Sequence, residues 1–211
     1  MKREELKRMT VDQFTAEAEY YDNHYTMVSV DYPDIIAELG SEPFGNVLDC
    51  GCGTGAMLVS LSEKYPERHF TGIDITPKMI EVAKSRCLDS VDFIVGDCEN
   101  LPFGDNSFDV VICSHSFHHY PNPQKFFDSV RRVLRPGGKL ILRDNTGPLW
   151  FILKSNLYFL PKWRRRYHLG DIRFYSLRKV RRFCRKAGLK SEKLEERPVH
   201  KLHCVARKPK D

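Results

Sequence analysis

Long apolar runs are missing from this 211-residue chain. Crossing a bilayer takes roughly 20 consecutive apolar residues. The longest candidate, PLWFILKSNLYFLP over 148–161, is shorter and is broken by Lys154, Ser155 and Asn156. The start, MKREELKRM, lacks the apolar stretch of a signal peptide, so the chain reads as cytoplasmic. Paired cysteines are missing too. Seven are scattered along the chain with no CxxC, which argues against a disulfide framework or a zinc ribbon. Cys50 and Cys52 stand one residue apart with no second pair elsewhere, and the cysteines are expected to be buried reduced thiols. Acids are scarce in the last third. Residues 151–211 hold 19 Lys+Arg against 5 Asp+Glu, and residues 1–150 hold 15 against 23, so a net of +14 follows a net of −8. Such asymmetry suits an anionic partner. It also suits the solvated face of one helix over 176–188, where Leu177, Val180, Phe183, Cys184 and Ala187 fall inward and Arg178, Arg181, Arg182 and Arg185 outward.

What is present begins at residues 47–55, VLDCGCGTG. A short apolar strand ends in an acid, and Gly51, Gly53 and Gly55 follow at alternate positions. Glycines there allow a sharp strand-to-helix bend and leave room for a ligand beside the backbone, which is the geometry of a nucleotide cradle. Further strands are expected at 68–75, 91–97, 108–116 and 137–145, with helices at 55–65, 76–88 and 123–134, the last stopped by Pro136-Gly137-Gly138 and the second opened by a capping Thr76. The all-apolar run VVIC implies a strand covered on both faces. Strand–helix alternation of this kind specifies a mainly parallel sheet between helical layers. After the 176–188 helix, two strands near 189–196 and 199–207 close the chain, with His200 and His203 expected on the last one in structural roles. One compact α/β domain fits the length.

Asp49, Asp74 and Asp97 each stand near the end of one of three successive strands. An acid about twenty residues after a glycine turn is placed to accept both hydroxyls of a ribose. One after the third strand can accept from a purine amine, and Asp49 can meet a cationic amino group. Taken singly, each is as well explained as a turn or capping aspartate. The glycines also satisfy a dinucleotide fingerprint through Gly51-x-Gly53-x-x-Ala56, so an NAD(P)-dependent oxidoreductase is the alternative. Asp49, Asp97 and the closing hairpin argue against it.

In combination, VLDCGCGTG, GIDIT, VGDCENLPFGDNSFDVVICSHSFHH and VRRVLRPGGKLIL, spanning 45 to 143, resemble the class I S-adenosylmethionine-dependent methyltransferases of small-molecule type. The resemblance implies a three-layer αβα Rossmann-like fold with a seven-stranded, mostly parallel sheet and a C-terminal antiparallel hairpin. The single domain reads as an N-terminal helical cap (1–44), a cofactor-binding core (45–145), a substrate lid (146–174) and a C-terminal helix and hairpin (175–211); the lid, expected from its place beside the strand ends, is the one part that matches nothing distinctive in the family. S-adenosylmethionine is the implied cofactor, its methyl passing to the acceptor by in-line displacement. Gly51, Cys52, Gly53 and Gly55 would form the turn along the methionine and ribose, with Asp49 near the amino group. Asp74 would take the ribose hydroxyls, Ile75 and Met79 the adenine face, and Asp97 the adenine amine, with Cys98 beside it. Ser114 would lie near the methionine end, and Tyr21 on the cap is a further cofactor candidate. Cys50 departs from the family's usual aliphatic residue and should be an inward-facing thiol.

His118 and His119 follow the fourth strand and are the candidate general bases. With His115 they have metal-like spacing, but no acid or thiol nearby completes a site, so no metal is expected. The lid combines Trp150, Phe151, Tyr158, Phe159 and Trp163 with Lys162, Arg164, Arg165, Arg166 and Arg173. That mixture suits a small, anionic, partly apolar acceptor. A nucleic acid is a weaker fit, because SHSF, not an NPPY-like motif, follows the fourth strand. PLWFILK and WRRR could also rest on anionic lipid. A cofactor-binding module without catalysis is the remaining alternative.

Overall fold

The structure is a computed structural model and describes residues 2–24, 31–86, 90–167, 170 and 173–210. Cys87 and Leu88 of the expected 76–88 helix, parts of the 146–174 connection and the side chain of Arg165 lie outside the described residues.

Each central strand is short, apolar and flanked by turn residues, and its side chains alternate between two cores as the two-residue period of a strand requires. β1 (Asn46–Cys50) sends Val47 to one face and Leu48 to the other; β4 (Phe108–Ser114) sends Val110 and Ile112 one way, Val111 and Cys113 the other. Both faces are therefore covered. One core packs the sheet against α3 (Tyr32–Leu39), α4 (Ala56–Lys64) and α5 (Pro77–Lys84) through Ile35, Leu58, Leu61 and Ile80. The other packs it against α6 (Pro123–Val133) and α9 (Leu177–Lys186) through Phe126, Phe127, Val130, Val180 and Cys184.

The seven-stranded sheet also contains β2 (His69–Asp74), β3 (Val91–Val95), β5 (Leu134–Asn145), β6 (Lys190–Arg197) and β7 (Lys201–Arg207), in the order β3-β2-β1-β4-β5-β7-β6. β1 to β5 are parallel; β7 runs antiparallel between β5 and β6. The order reverses between β1 and β4, and in an open α/β sheet such a reversal leaves a crevice at the strand C-termini. Above that edge lie α1 (Arg3–Glu17) and α2 (Tyr21–His24), so Tyr21 begins a short helix of its own.

Several boundaries differ from the sequence expectation. α6 ends at Val133, ahead of the Pro-Gly-Gly, because Leu134 already takes extended angles and joins β5. Thr76 makes no side-chain cap; the Asp74 carboxylate takes its amide instead. His200 lies in a 3-10 turn before β7 and is exposed, whereas His203 is on the strand, fully buried, 3.1 Å from Glu38. The 146–174 connection is largely helical: α7 (Leu149–Lys154), a π-helical turn (Ser155–Phe159) and α8 (Leu160–Tyr167) run end to end.

The α6–α9 core is ring-rich. Phe127 is fully buried, with ring centroids 5.5 Å from Phe117 and 5.7 Å from Phe183. Deleting such a ring leaves a cavity as well as removing apolar burial, so Phe127→Ala should cost about 3–5 kcal/mol. Urea unfolding should show a lower midpoint at unchanged slope.

Candidate functional site

The turn after β1 is built around one acceptor. The Gly51 and Cys52 amides both donate to the Ile73 carbonyl, at 2.8 and 3.1 Å. Gly51 has φ +75°, and a Cβ there would lie 1.8 Å from Ser116 Oγ, so only glycine lets β1 and the β4 loop meet. Gly53 has φ +53°, and a Cβ there would meet nothing nearer than a Tyr21 ring carbon at 3.9 Å. A side chain at Gly53 would therefore fill open space above the turn. Gly55 opens α4 and backs onto Phe93.

Three carboxylates converge on this edge. Asp49 is 2% exposed and its Oδ1 has no hydrogen-bond partner. Burial, reinforced by the charge of Asp74, pushes its carboxyl up to about 8. Asp74 accepts the Thr76 amide at 2.8 Å and the Gly53 amide at 3.1 Å, yet burial still holds its carboxyl above the usual range. Asp97 accepts the Glu99 amide at 2.8 Å and Lys7 Nζ at 2.6 Å. Lys7 also reaches Glu99 at 2.9 Å. Burial works to lower the Lys7 ammonium, but its hydrogen bonds to Asp97 and Glu99 outweigh it and hold the group above its ordinary value.

A cleft runs along this edge, with Gly51, Asp74, Ile75, Asp97, Cys98 and His119 among its walls; Asp49, being buried, is not one of its lining residues. Other expected residues stand around it. Met79 is buried on α5, Tyr21 packs edge-on to Phe14 with centroids 6.0 Å apart, and the Cys52 thiol lies 3.7 Å from the Gly53 carbonyl. Ser114 ends β4 with its hydroxyl buried and unpartnered. Ser116, two residues on, lines the cleft instead and shares a 2.8 Å hydrogen bond with Tyr120. Lys7, Phe14, Glu99, Ser116 and Tyr120 are cleft residues that the sequence reading did not single out. The contact of Lys7 spans 90 positions, and no local pattern signals it.

The histidines separate by partner. His118 is clamped by Asp144: its backbone N–H donates to Oδ2 at 3.0 Å and its Nδ1 lies 2.7 Å from Oδ1. Burial works to raise the Asp144 carboxyl, but the charge and hydrogen bond of His118, with His115 behind, hold it below the usual range. A buried carboxylate on Nδ1 fixes the ring and leaves Nε2 as the exchangeable position. His119 lines the cleft, with its ring 5.0 Å from Phe14 and 4.2 Å from His118. His115 turns away to Asp31, at 2.5 Å. Asp31 also takes Arg143; burial opposes these bonds, which nonetheless bring its carboxyl to about 2. Among the described residues, no three His, Cys, Asp or Glu side chains cluster around a metal-sized point.

Residues 48–142 match the family described as "Methyltransferase domain". The chain is 35% identical over 132 residues to a demethylmenaquinone methyltransferase of Thermotoga maritima, covering 62% of this chain and 56% of that protein. It is 40% identical over 99 residues to a phthiotriol/phenolphthiotriol dimycocerosates methyltransferase of Mycobacterium leprae, covering 46% of this chain and 37% of that one. The chain thus spans about half or less of these relatives' own lengths. A solved SAM-dependent methyltransferase from Aquifex aeolicus has the same fold, with a TM-score of 0.71 at 21% identity over 92% of this chain and 98% of that chain.

Asp49 also makes the site's protonation state measurable. A carboxyl raised by folding favours the folded state while protonated; that contribution is complete below the ordinary value of 3.8 and is lost as pH rises to about 8. Unfolding free energy, measured by urea titration between pH 4 and 8, should therefore fall more steeply with pH in the wild type than in Asp49→Asn. Parallel pH profiles would show that Asp49 is ionised in the folded protein.

Proposed function

We propose that the chain is a class I S-adenosylmethionine-dependent methyltransferase that transfers a methyl group from that cofactor to a small, partly apolar acceptor, a reading supported by its methyltransferase-domain match over residues 48–142. The observation that carries this reading is that Asp74 and Asp97 line one cleft together with Gly51, while Asp49 lies buried at the end of the adjoining strand with an unpartnered oxygen. Their arrangement suits a cofactor with a cationic amino-acid end, a ribose and an adenine. The unpartnered Asp49 oxygen would accept the ammonium, and the open space over Gly53 would pass the chain that links it to the ribose. Asp74 would take the ribose hydroxyls while its backbone bonds keep it in place. Asp97 would accept the adenine amine, with Ile75, Met79 and Cys98 against the ring. Gly51, Cys52 and Gly55 would shape the turn, and Ser114 and Tyr21 would border the methionine end.

When bound, the cofactor supplies a methyl already activated on a sulfonium. The protein is then left to bind, align and desolvate, and alignment alone can contribute up to roughly 7–11 kcal/mol. Phe14, His119 and Tyr120 give the cleft an apolar and aromatic rim against which an acceptor would be oriented. Where the acceptor must lose a proton, His118, held by Asp144, would take it at Nε2, with His119 as the adjoining candidate. Two relatives named for a menaquinone precursor and for dimycocerosates support a lipophilic acceptor.

S-adenosylhomocysteine should bind in calorimetry and NADH should not, and Asp74→Ala should weaken binding by at least about tenfold. Labelled cofactor incubated with fractionated cell extract should place methyl in the organic-soluble small-molecule pool. Label confined to RNA or protein would overturn the acceptor class, and tight NADH binding the cofactor. Asp144→Asn should lower kcat by about 10²–10⁴-fold with cofactor affinity unchanged if His118 is the base; an unchanged kcat would remove His118 from the chemistry.

A further inference from the structure

The helical rod α7–α8 has an inward side and an unpartnered outward side. Ile152, Ser155 and Leu160 are buried, a helical spacing that fixes one face against the domain. The outer face carries eight of the eleven exposed large apolar side chains found among the described residues, all between positions 149 and 167. Leu157, Trp150 and Leu149 lead them at 77, 67 and 64% exposure. Contiguous apolar surface of this kind is rare unless something covers it.

Cations are threaded through it. From 145 to 170 the sequence has no acid but holds Lys154, Lys162, Arg164, Arg165 and Arg166. Lys154 lies 5.4 Å from the Phe159 ring, Lys162 4.1 Å from that of Tyr158, and Arg166 5.5 Å from that of Tyr167. Apolar stems and rings thus lie beside charged heads, the arrangement by which side chains snorkel at a lipid interface. A neighbouring turn adds Val199, 79% exposed, next to His200, whose ring stacks on Phe151 at 6.5 Å.

From this geometry we propose that residues 149–167 dock on the surface of an anionic lipid bilayer, lying in its plane. No helix among the described residues is long and apolar enough to cross a membrane, and an amphipathic rod of mixed leucine, tryptophan and basic residues inserts shallowly instead. The leucines discriminate between partners. Single-stranded nucleic acid rewards aromatic platforms and cations but not protruding aliphatic chains, and an apolar protein groove would strand the cations. A bilayer takes the leucines into its acyl boundary and the cations to its phosphates.

The rod is also tied to the cleft. Asn156 exchanges hydrogen bonds with the Phe174 backbone at 2.8 and 3.0 Å, and the preceding residue, Arg173, donates its amide to the His118 carbonyl at 2.9 Å. The Gly170 amide donates to Gln13 on α1 at 3.2 Å. Docking would therefore hold the rim of the cleft near the interface, where a lipid-dissolved acceptor is concentrated. That consequence rests on the proposed methyl transfer; the docking itself does not.

Both tryptophans of the chain, Trp150 and Trp163, lie on this face, so intrinsic fluorescence reports it alone. The 211-residue chain should float with phosphatidylcholine–phosphatidylglycerol vesicles, with tryptophan emission shifted to the blue and quenched by brominated acyl chains. Pure phosphatidylcholine vesicles should bind it at least about tenfold more weakly, and salt should release it from the anionic ones. The triple variant Leu149→Ser, Leu153→Ser, Leu157→Ser, which changes only exposed positions, should lose about a hundredfold or more in vesicle affinity. Its circular dichroism and S-adenosylhomocysteine binding should stay intact. Absence of vesicle binding, affinity unchanged in the triple variant, or tryptophan burial on RNA or on self-association in place of vesicles would each overturn the proposal. Because none of these readouts involves methyl transfer, failure of one reading leaves the other standing.

Discussion

The Ile73 carbonyl receives the amides of Gly51 and Cys52, and the site depends on that shared bond. It locks the turn after β1 to the end of β2 and brings Gly53 within 3.1 Å of Asp74. Asp49, Gly53 and Asp74 consequently form one rigid corner. The positive φ of Gly51 belongs to the same constraint, because the space a Cβ would need is occupied by Ser116. Preorganisation of this kind removes the cost of ordering the site when a ligand arrives.

The corner is acid-rich without being highly charged. Asp49 is driven toward its neutral form by burial, and Lys7 is drawn from the N-terminal helix onto Asp97 and Glu99. Both devices lower the repulsion among carboxylates crowded at one sheet edge. They also give a cationic ligand something to exchange with: an ammonium beside Asp49 favours its ionised form, and an adenine amine at Asp97 would compete with Lys7.

The parts that could be read along the chain follow from short-range physics. Strands buried on both faces must be apolar through their middles, so VVIC and LIL stand out, and glycines and acids recur where such strands end. The acids at 49, 74 and 97 are legible for that reason. Lys7 on Asp97, Glu99 against Lys7, and Asp144 under His118 are not, because each joins elements whose meeting is set by tertiary packing. Ser114 and Ser116 show a finer limit: two residues beyond a strand end decide which serine faces the cleft, and only the loop's actual path settles it. The 146–174 connection is opaque for the opposite reason. Its outward face is apolar, so the hydrophobic pattern that normally marks a helix's inner side is blurred, and a nearly continuous rod reads as irregular connection.

The division of charge between the two parts of the chain gains a physical meaning from this arrangement. The acidic portion, net −8 over residues 1–150, contains the corner that suits a cationic cofactor. The basic portion, net +14 over 151–211, holds both the amphipathic α9 and the acid-free rod. In the proposed docking, an anionic bilayer would attract the cations of the rod over about a Debye length, roughly 8–10 Å. Along the sequence, acids thus gather in the portion that forms the candidate cofactor corner and bases in the portion that forms most of the proposed docking rod.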